Sequence, residues 1–502
     1  MTNKNNFIVE KSSYVRSTRF LRLAVILTLI IGTGVVGAFL TPRGPVTTVQ
    51  AIVWMAVAGI VGFGVGVLTK SRWSVIVTPI IFIIAFELSR IGVDGPTVDL
   101  VRPGSTYGII AFIVGRFIPG LIVILPLALG VVFGGWLGSR YYRNSPFSPG
   151  MGSGSIAGLG TIGVIALAVL VALPAGTSPI LNSDGERLAG SIAELKTVEI
   201  GNRNQVLMIR GRNSDNPVLL YLAGGPGGTD LGAMRKADTE LESDFVVVTW
   251  DQRGTGKSYS TLDPAETLTL DRVVADTLEV TNYLRDRFDE EKIYLVGNSW
   301  GTILGTLAVN ERPELFHAYI GAGQMVSPKE TDIMFYEDTL EWAESTGRDG
   351  LVSRLEKNGT PPYENILSYE PAISYEHRWN SNPARDPSTE LPSNLFVSEN
   401  SFMDKINGMR GFLDVFSTLY PRIQEVDFRD DVLDLEVPVY VVMGRYEARG
   451  REIPAREWFE LLEAPTKELI EFDNSGHRPH FEEPAKFSSL MSRVADETYR
   501  SS

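Results

Sequence analysis

The apolar run Ile293-Tyr294-Leu295-Val296 leads straight into Gly297-Asn298-Ser299-Trp300-Gly301, and Thr302-Ile303-Leu304-Gly305-Thr306-Leu307-Ala308-Val309 then reads as a helix. This is a strand, a tight turn and a helix with a serine at the apex. Such a turn strains the backbone at its serine, and side chains two residues to either side would collide with the flanking elements, so the glycines at 297 and 301 have a steric purpose. Ser299 is the candidate nucleophile.

A serine hydroxyl needs a base to take its proton and a carboxylate to orient that base. Four histidines are available. His317 lies where a strand should begin and His377 lies in a polar, tryptophan-containing stretch, so both read as structural. His477 follows the strand-like Leu469-Ile470-Glu471-Phe472 and the turn Asp473-Asn474-Ser475-Gly476, where a loop histidine can reach over a sheet edge, with His480 as the second choice. The acid is expected between serine and histidine in chain order. Val437 to Gly444 reads as a buried strand ending in Arg445-Tyr446-Glu447, which makes Glu447 the candidate. Acyl transfer also calls for backbone amides around the oxyanion. One is expected from Trp300, and a second from Gly225 in Ala223-Gly224-Gly225-Pro226-Gly227-Gly228, the loop after the strand Val218 to Leu222; the Gly225-Pro226 bond is a candidate cis peptide.

Four motifs together resemble the proline iminopeptidase-like α/β-hydrolases, serine peptidase family S33. They are GGPGG (Gly224 to Gly228), DQRGTGKS (Asp251 to Ser258), GNSWG around Ser299, and GRYE with SGH around Glu447 and His477, and they span about residues 190 to 500. The resemblance implies Ser299 as nucleophile, Glu447 as acid, His477 as base, and Gly225 with Trp300 as the oxyanion hole. Two positions depart from the family pattern: Ala223 stands where the family usually has His, and Glu447 where it usually has Asp. The family recognises a free amino terminus through acidic residues in its cap. Glu376, Glu399 and Asp404 are the conceivable counterparts, although each also reads as a solvated helix face.

Gly254-Thr255-Gly256-Lys257-Ser258 imitates the end of a phosphate-binding loop, but that pattern requires glycine where Asp251 stands, and Pro264 interrupts the helix that should follow. No nucleotide, nucleic-acid partner or cofactor is expected. With no cysteine in 502 residues, a thiol nucleophile and cysteine-ligated zinc are excluded, and the HExxH zinc pattern does not occur.

Composition divides the chain. Residues 1–176 hold 13 Lys and Arg against 4 Asp and Glu, whereas the remainder holds 33 against 56. The basic part carries apolar runs of the length a bilayer demands, at 23–40, 49–68, 117–137 and 156–173, with a shorter fifth at 73–88 that places Glu87 near an interface. Residues 107–115, broken from the next run by Arg116, are open to three readings: an extension of that span, an interfacial segment or a re-entrant piece. Basic flanks at Lys4, Lys11, Arg16, Arg19 and Arg22, at Lys70 and Arg72, and at Arg140 and Arg143 place these segments in the cytoplasm. Five crossings then put the carboxy-terminal domain outside. Glycine-rich spacing within the spans suits close helix packing, which is also the plainer account of the region than a polar path through Glu87 and Arg116.

Beyond the linker Pro174 to Pro179, strands alternate with helical patterns, which means a mostly parallel sheet covered on both faces. The expected organisation is a transmembrane domain at 1–176, a hydrolase core at 177–326 and 433–502, and an aromatic, acidic cap at 327–432. The expected substrate is a short peptide with an exposed amino terminus, with a carboxylic or lipid ester second. A sensor that binds without turnover is the reading from another class.

Overall fold

Eight strands build the carboxy-terminal half: β1 Ile192–Ile200, β2 Arg203–Gly211, β3 Val218–Leu222, β4 Val246–Asp251, β5 Ile293–Asn298, β6 Phe316–Ala322, β7 Val439–Gly444 and β8 Lys467–Phe472. The computed structural model describes residues 2–69, 71–141 and 151–499. It joins the strands into one sheet in the order β1-β2-β4-β3-β5-β6-β7-β8. β1 and β2 form a hairpin, β2 runs antiparallel to β4, and every later pairing is parallel. The central strands are uninterrupted apolar runs because helices cover both faces: Val218-Leu219-Leu220-Tyr221-Leu222 is buried along its whole length. The helix Leu270–Phe288 is one of these covers. Thr269 caps it by accepting from the Arg272 amide, Val273, Val274, Leu278, Val280 and Leu284 are buried, and Asp289 ends it in the left-handed region.

Between β6 and β7 the alternation stops. Helices Pro328–Ser345, Asp349–Asn358, Ile366–Trp379 and Phe402–Leu419 occupy the interval, the last opened by a reciprocal cap between Ser401 and Asp404.

The chain falls into two compact units, Met1–Val98 with Phe112–Leu173, and Asp99–Ala111 with Pro174–Ser502. Residues 99–111, which composition groups with the apolar helices, therefore belong with the sheet. In the first unit, Thr18–Leu40, Thr48–Leu68 and Gly154–Ala172 are long and apolar enough to cross a membrane, as is the run Thr106–Ser139 that begins in the second unit. Ser74–Ser89, the shorter fifth run, has 16 residues and rises about 24 Å, short of a hydrocarbon layer of roughly 30 Å. Over residues 107–115 the chain is helical and continuous with the next apolar run, from Thr106 through a π turn at Ile113–Phe117. Lys70 and Arg143, among the basic flanks, lie outside the described residues.

Glu87 pairs with Arg90 at 2.5 Å and with Arg116 at 3.4 Å, so the two ionisable residues singled out from the sequence meet each other. Helices Thr48–Leu68 and Ile118–Tyr141 pack backbone to backbone. A methyl group on Gly62 would stand 2.0 Å from the Leu127 carbonyl oxygen, and one on Gly134 2.0 Å from that of Phe63.

Candidate active site

β5 ends at Ser299, whose φ of 53° and ψ of −120° lie in a region that non-glycine residues rarely adopt. The surroundings hold it there. A Cβ on Gly297 would meet the Gly301 carbonyl oxygen at 2.5 Å, and one on Gly301 would meet that of Leu222 at 2.1 Å, so only glycine fits at either place. The Ser299 amide donates to the Ala322 carbonyl at the end of β6. Trp300 begins the helix Trp300–Glu311, with its amide at the helix amino terminus.

His477 arrives at the same rim from the loop after β8. Its Nδ1 lies 2.7 Å from Glu447 Oε2, and its carbonyl accepts from Asn298 Nδ2 at 3.2 Å, which ties the histidine loop to the strand bearing Ser299. A Cβ on Gly323, which follows Ala322, would sit 2.9 Å from His477 Nδ1. The end of β6 thus touches Ser299 on one side and His477 on the other.

Glu447 is buried, and its Oε1 accepts from the Ala448 amide at 2.9 Å and from Arg451 Nε at 2.8 Å. Burial alone would raise its pKa, but the Arg451 charge and the His477 imidazole outweigh burial and hold the carboxyl down at about 2. It is therefore ionised throughout the neutral range. Arg451 also grips Glu376 of the helix Ile366–Trp379.

The loop Gly224–Gly228 runs beside Ser299: a Cβ on Gly224 would be 3.4 Å from Ser299 Cβ. Gly225 has φ 141° and Gly227 φ 90°, and the Gly225-Pro226 bond is cis. Gln252, which sequence reasoning carried only as part of the DQRG motif, bridges the two segments that hold the candidate oxyanion donors. Its Oε1 accepts from Trp300 Nε1 at 2.9 Å, and its Nε2 donates to the Ala223 carbonyl at 3.2 Å. Asp230 supports the same loop by accepting from the Gly224 amide at 3.3 Å and from Arg478, the neighbour of His477, at 2.6 Å. With alanine at 223, these two side chains anchor the loop.

Gln252→Leu removes both contacts and leaves the Trp300 indole N–H buried without an acceptor, at a cost of about 1–3 kcal/mol. The expected result is a kcat lower by about 10- to 100-fold with KM little changed, read from steady-state kinetics.

The remaining candidates go elsewhere. His480 is buried against the Tyr221 hydroxyl at 2.9 Å, and burial, with the Arg478 and His477 charges, keeps its pKa well below the ordinary value. His317 stacks on Tyr294 at 5.0 Å, its pKa lowered to about 4 by burial and Lys292. Asp251, the residue that spoils the phosphate-loop pattern, is buried where the phosphates would lie. Its carboxylate accepts from the Lys257 amide at 2.8 Å and from Thr229 at 2.5 Å. Among the described residues no cluster of three or more His, Cys, Asp or Glu side chains is arranged to hold a metal. Each of the three acidic residues considered for amine recognition has a basic partner: Glu376 with Arg451, Glu399 with Arg235 at 2.8 Å, and Asp404 with Lys257 at 2.6 Å.

The alpha/beta hydrolase family profile matches residues 222–490, more than half of the chain. The chain belongs to the alpha/beta hydrolase family. The hydrolase is 32% identical over 308 residues to a probable aminopeptidase, YbaC, of Bacillus subtilis (strain 168), an alignment covering 61% of this chain and 97% of that one. It is 24% identical to a proline iminopeptidase of Lactobacillus delbrueckii subsp. bulgaricus over 59% of this chain and 96% of the other. Among solved structures, the proline iminopeptidase of Mycobacterium smegmatis aligns with 61% of this chain and all of its own, at 18% identity and a TM-score of 0.43.

Proposed function

We propose that this hydrolase cleaves acyl bonds through a covalent acyl-enzyme on Ser299, and that it does so as a membrane-anchored aminopeptidase on short peptides. The observation that carries the mechanism is the hydrogen bond from His477 Nδ1 to a buried, ionised Glu447. With Nδ1 committed as the donor, Nε2 is the nitrogen that accepts a proton from Ser299. Attack of the serine oxygen on the acyl carbon moves negative charge onto the former carbonyl oxygen, where the Gly225 and Trp300 amides receive it. The His477 imidazolium, stabilised by Glu447, returns its proton to the leaving amine. Water, activated by the same histidine, then releases the acyl group.

The names of the relatives favour an exposed amino terminus on the substrate, in the first instance proline. The region 1–176 serves as anchor with five crossings, the short helix Ser74–Ser89 among them where the bilayer thins locally to match it, 177–326 and 433–502 form the catalytic core, and 327–432 caps it. The basic flanks place the core outside the cytoplasm.

A prolyl arylamide and a short acyl ester, offered to the full-length protein in detergent, separate the substrate readings. Faster turnover of the arylamide supports the peptidase. Preference for the ester keeps the acyl-enzyme and removes the peptide assignment. Protease added to intact cells should trim the core, and full protection would overturn its placement outside.

A further inference from the structure

Glu370 lies on the cap helix Ile366–Trp379 with 2% of its surface exposed. Its carboxylate accepts from residues far back in the chain that share its compact unit: the Thr106 amide donates to Oε1 at 3.0 Å, the Tyr107 amide to Oε2 at 3.3 Å, and the Ser105 hydroxyl to Oε2. Ser105 Oγ also accepts from the Gly108 amide at 3.0 Å, so one serine both caps the helix that begins at Thr106 and binds the cap. The Tyr107 ring stands edge-on to Phe412 with centroids 5.8 Å apart.

Two paths lead from this contact to the reacting atoms. Phe412 belongs to the helix Phe402–Leu419, whose backbone presses on the oxyanion loop. A Cβ on Gly227 would stand 2.5 Å from the Gly411 carbonyl oxygen and 3.1 Å from Phe412 Cα. The second path starts on Glu370's own helix. Glu376 there grips Arg451, and Arg451 donates to Glu447 Oε1 at 2.8 Å. One short segment therefore bears on the loop that carries the Gly225 amide and on the carboxylate that orients His477.

We infer that Ser105, Thr106 and Tyr107 form a positioning element of the hydrolase, a clamp supplied by the connection between apolar helices that sets the cap and, through it, the oxyanion loop and Glu447. This rests on the triad proposed above. The clamp gives the fusion a purpose: the catalytic unit is completed by a piece of chain that only the membrane region can deliver. Removing it would leave the Glu370 carboxylate buried with the Arg354 guanidinium, 3.8 Å away, as its remaining near partner.

The test measures labelling of the full-length protein by a fluorophosphonate, recording both rate constant and final stoichiometry, for wild type, Tyr107→Ala, Tyr107→Phe and Ser105→Ala. A clamp that positions the site predicts a rate constant lower by about tenfold at full stoichiometry in Tyr107→Ala and Ser105→Ala, with Tyr107→Phe, which keeps the ring on Phe412, restored close to wild type. Rate constants equal to wild type in both variants overturn the clamp and leave the triad standing. So does a fall in stoichiometry alone, which reports lost folding and not lost positioning. A folded wild type that never labels removes the acyl-enzyme reading itself, and the clamp with it.

Discussion

Ser299→Ala is expected to abolish fluorophosphonate labelling and to lower kcat by about 10⁶-fold, the scale on which serine hydrolases depend on the nucleophile. The change removes one oxygen at a position that takes no side-chain cap bond from the following helix. The variant should therefore keep the melting temperature of the parent, and activity and stability can be read separately. Full turnover by a folded Ser299→Ala protein would end the acyl-enzyme assignment. A folded wild type that binds substrate without turnover would favour the sensor reading.

Glu447→Gln is the second large effect, with kcat expected to fall by about 10⁴-fold. An amide cannot offer two anionic oxygens, one to His477 Nδ1 and one to Arg451 Nε. The histidine then loses both its preferred tautomer and the stabilisation of its imidazolium, while Arg451 keeps Glu376 as an anionic partner. The same residue predicts an acid limb in stability. Its folded pKa, about 2, lies below the ordinary carboxylate value, so the folded state binds this proton less readily than the unfolded chain does. The contribution is complete above the unfolded pKa of about 4.3 and is lost as pH falls towards 2. Denaturant titrations from pH 6 to pH 2 should show a steeper loss in wild type than in Glu447→Gln. Parallel curves would show that the carboxylate gains nothing from its partners.

The parts of this molecule that were legible in the sequence are those where one residue type answers one local demand. Gly297 and Gly301 could be assigned a steric role unseen, because a turn between strand and helix leaves no space for a side chain there, and the structure supplies the obstructing carbonyls. The strands were legible for a similar reason. Runs such as Phe245 to Trp250 are too short and too uniformly apolar to be anything but the buried strands of a covered sheet. Gln252 and Asp230 were harder, since glutamine and aspartate in a loop have many uses and only the meeting of Ala223, Trp300 and Arg478 in space gives them one. The acidic residues between β6 and β7 show the converse. Acidity along a sequence suggests a site for a cation, but Arg451, Arg235 and Lys257 already fill that need from other parts of the chain. Glu370 carried no signal at all, because two of its donors are backbone amides more than 260 positions away, and amides have no letter in a sequence.

The glycine contact between the helices Thr48–Leu68 and Ile118–Tyr141 has a mechanical result. Because carbonyl oxygens of each helix occupy the places where methyl groups of the other would be, the backbones touch at Gly62 and Gly134, and Trp54, Ala58 and Val65 pack with Val123, Leu127 and Val131 around those contacts. In a bilayer, lipid tails could not wedge into such a seam. If these helices cross a bilayer, a change in its thickness would be met by the two tilting together.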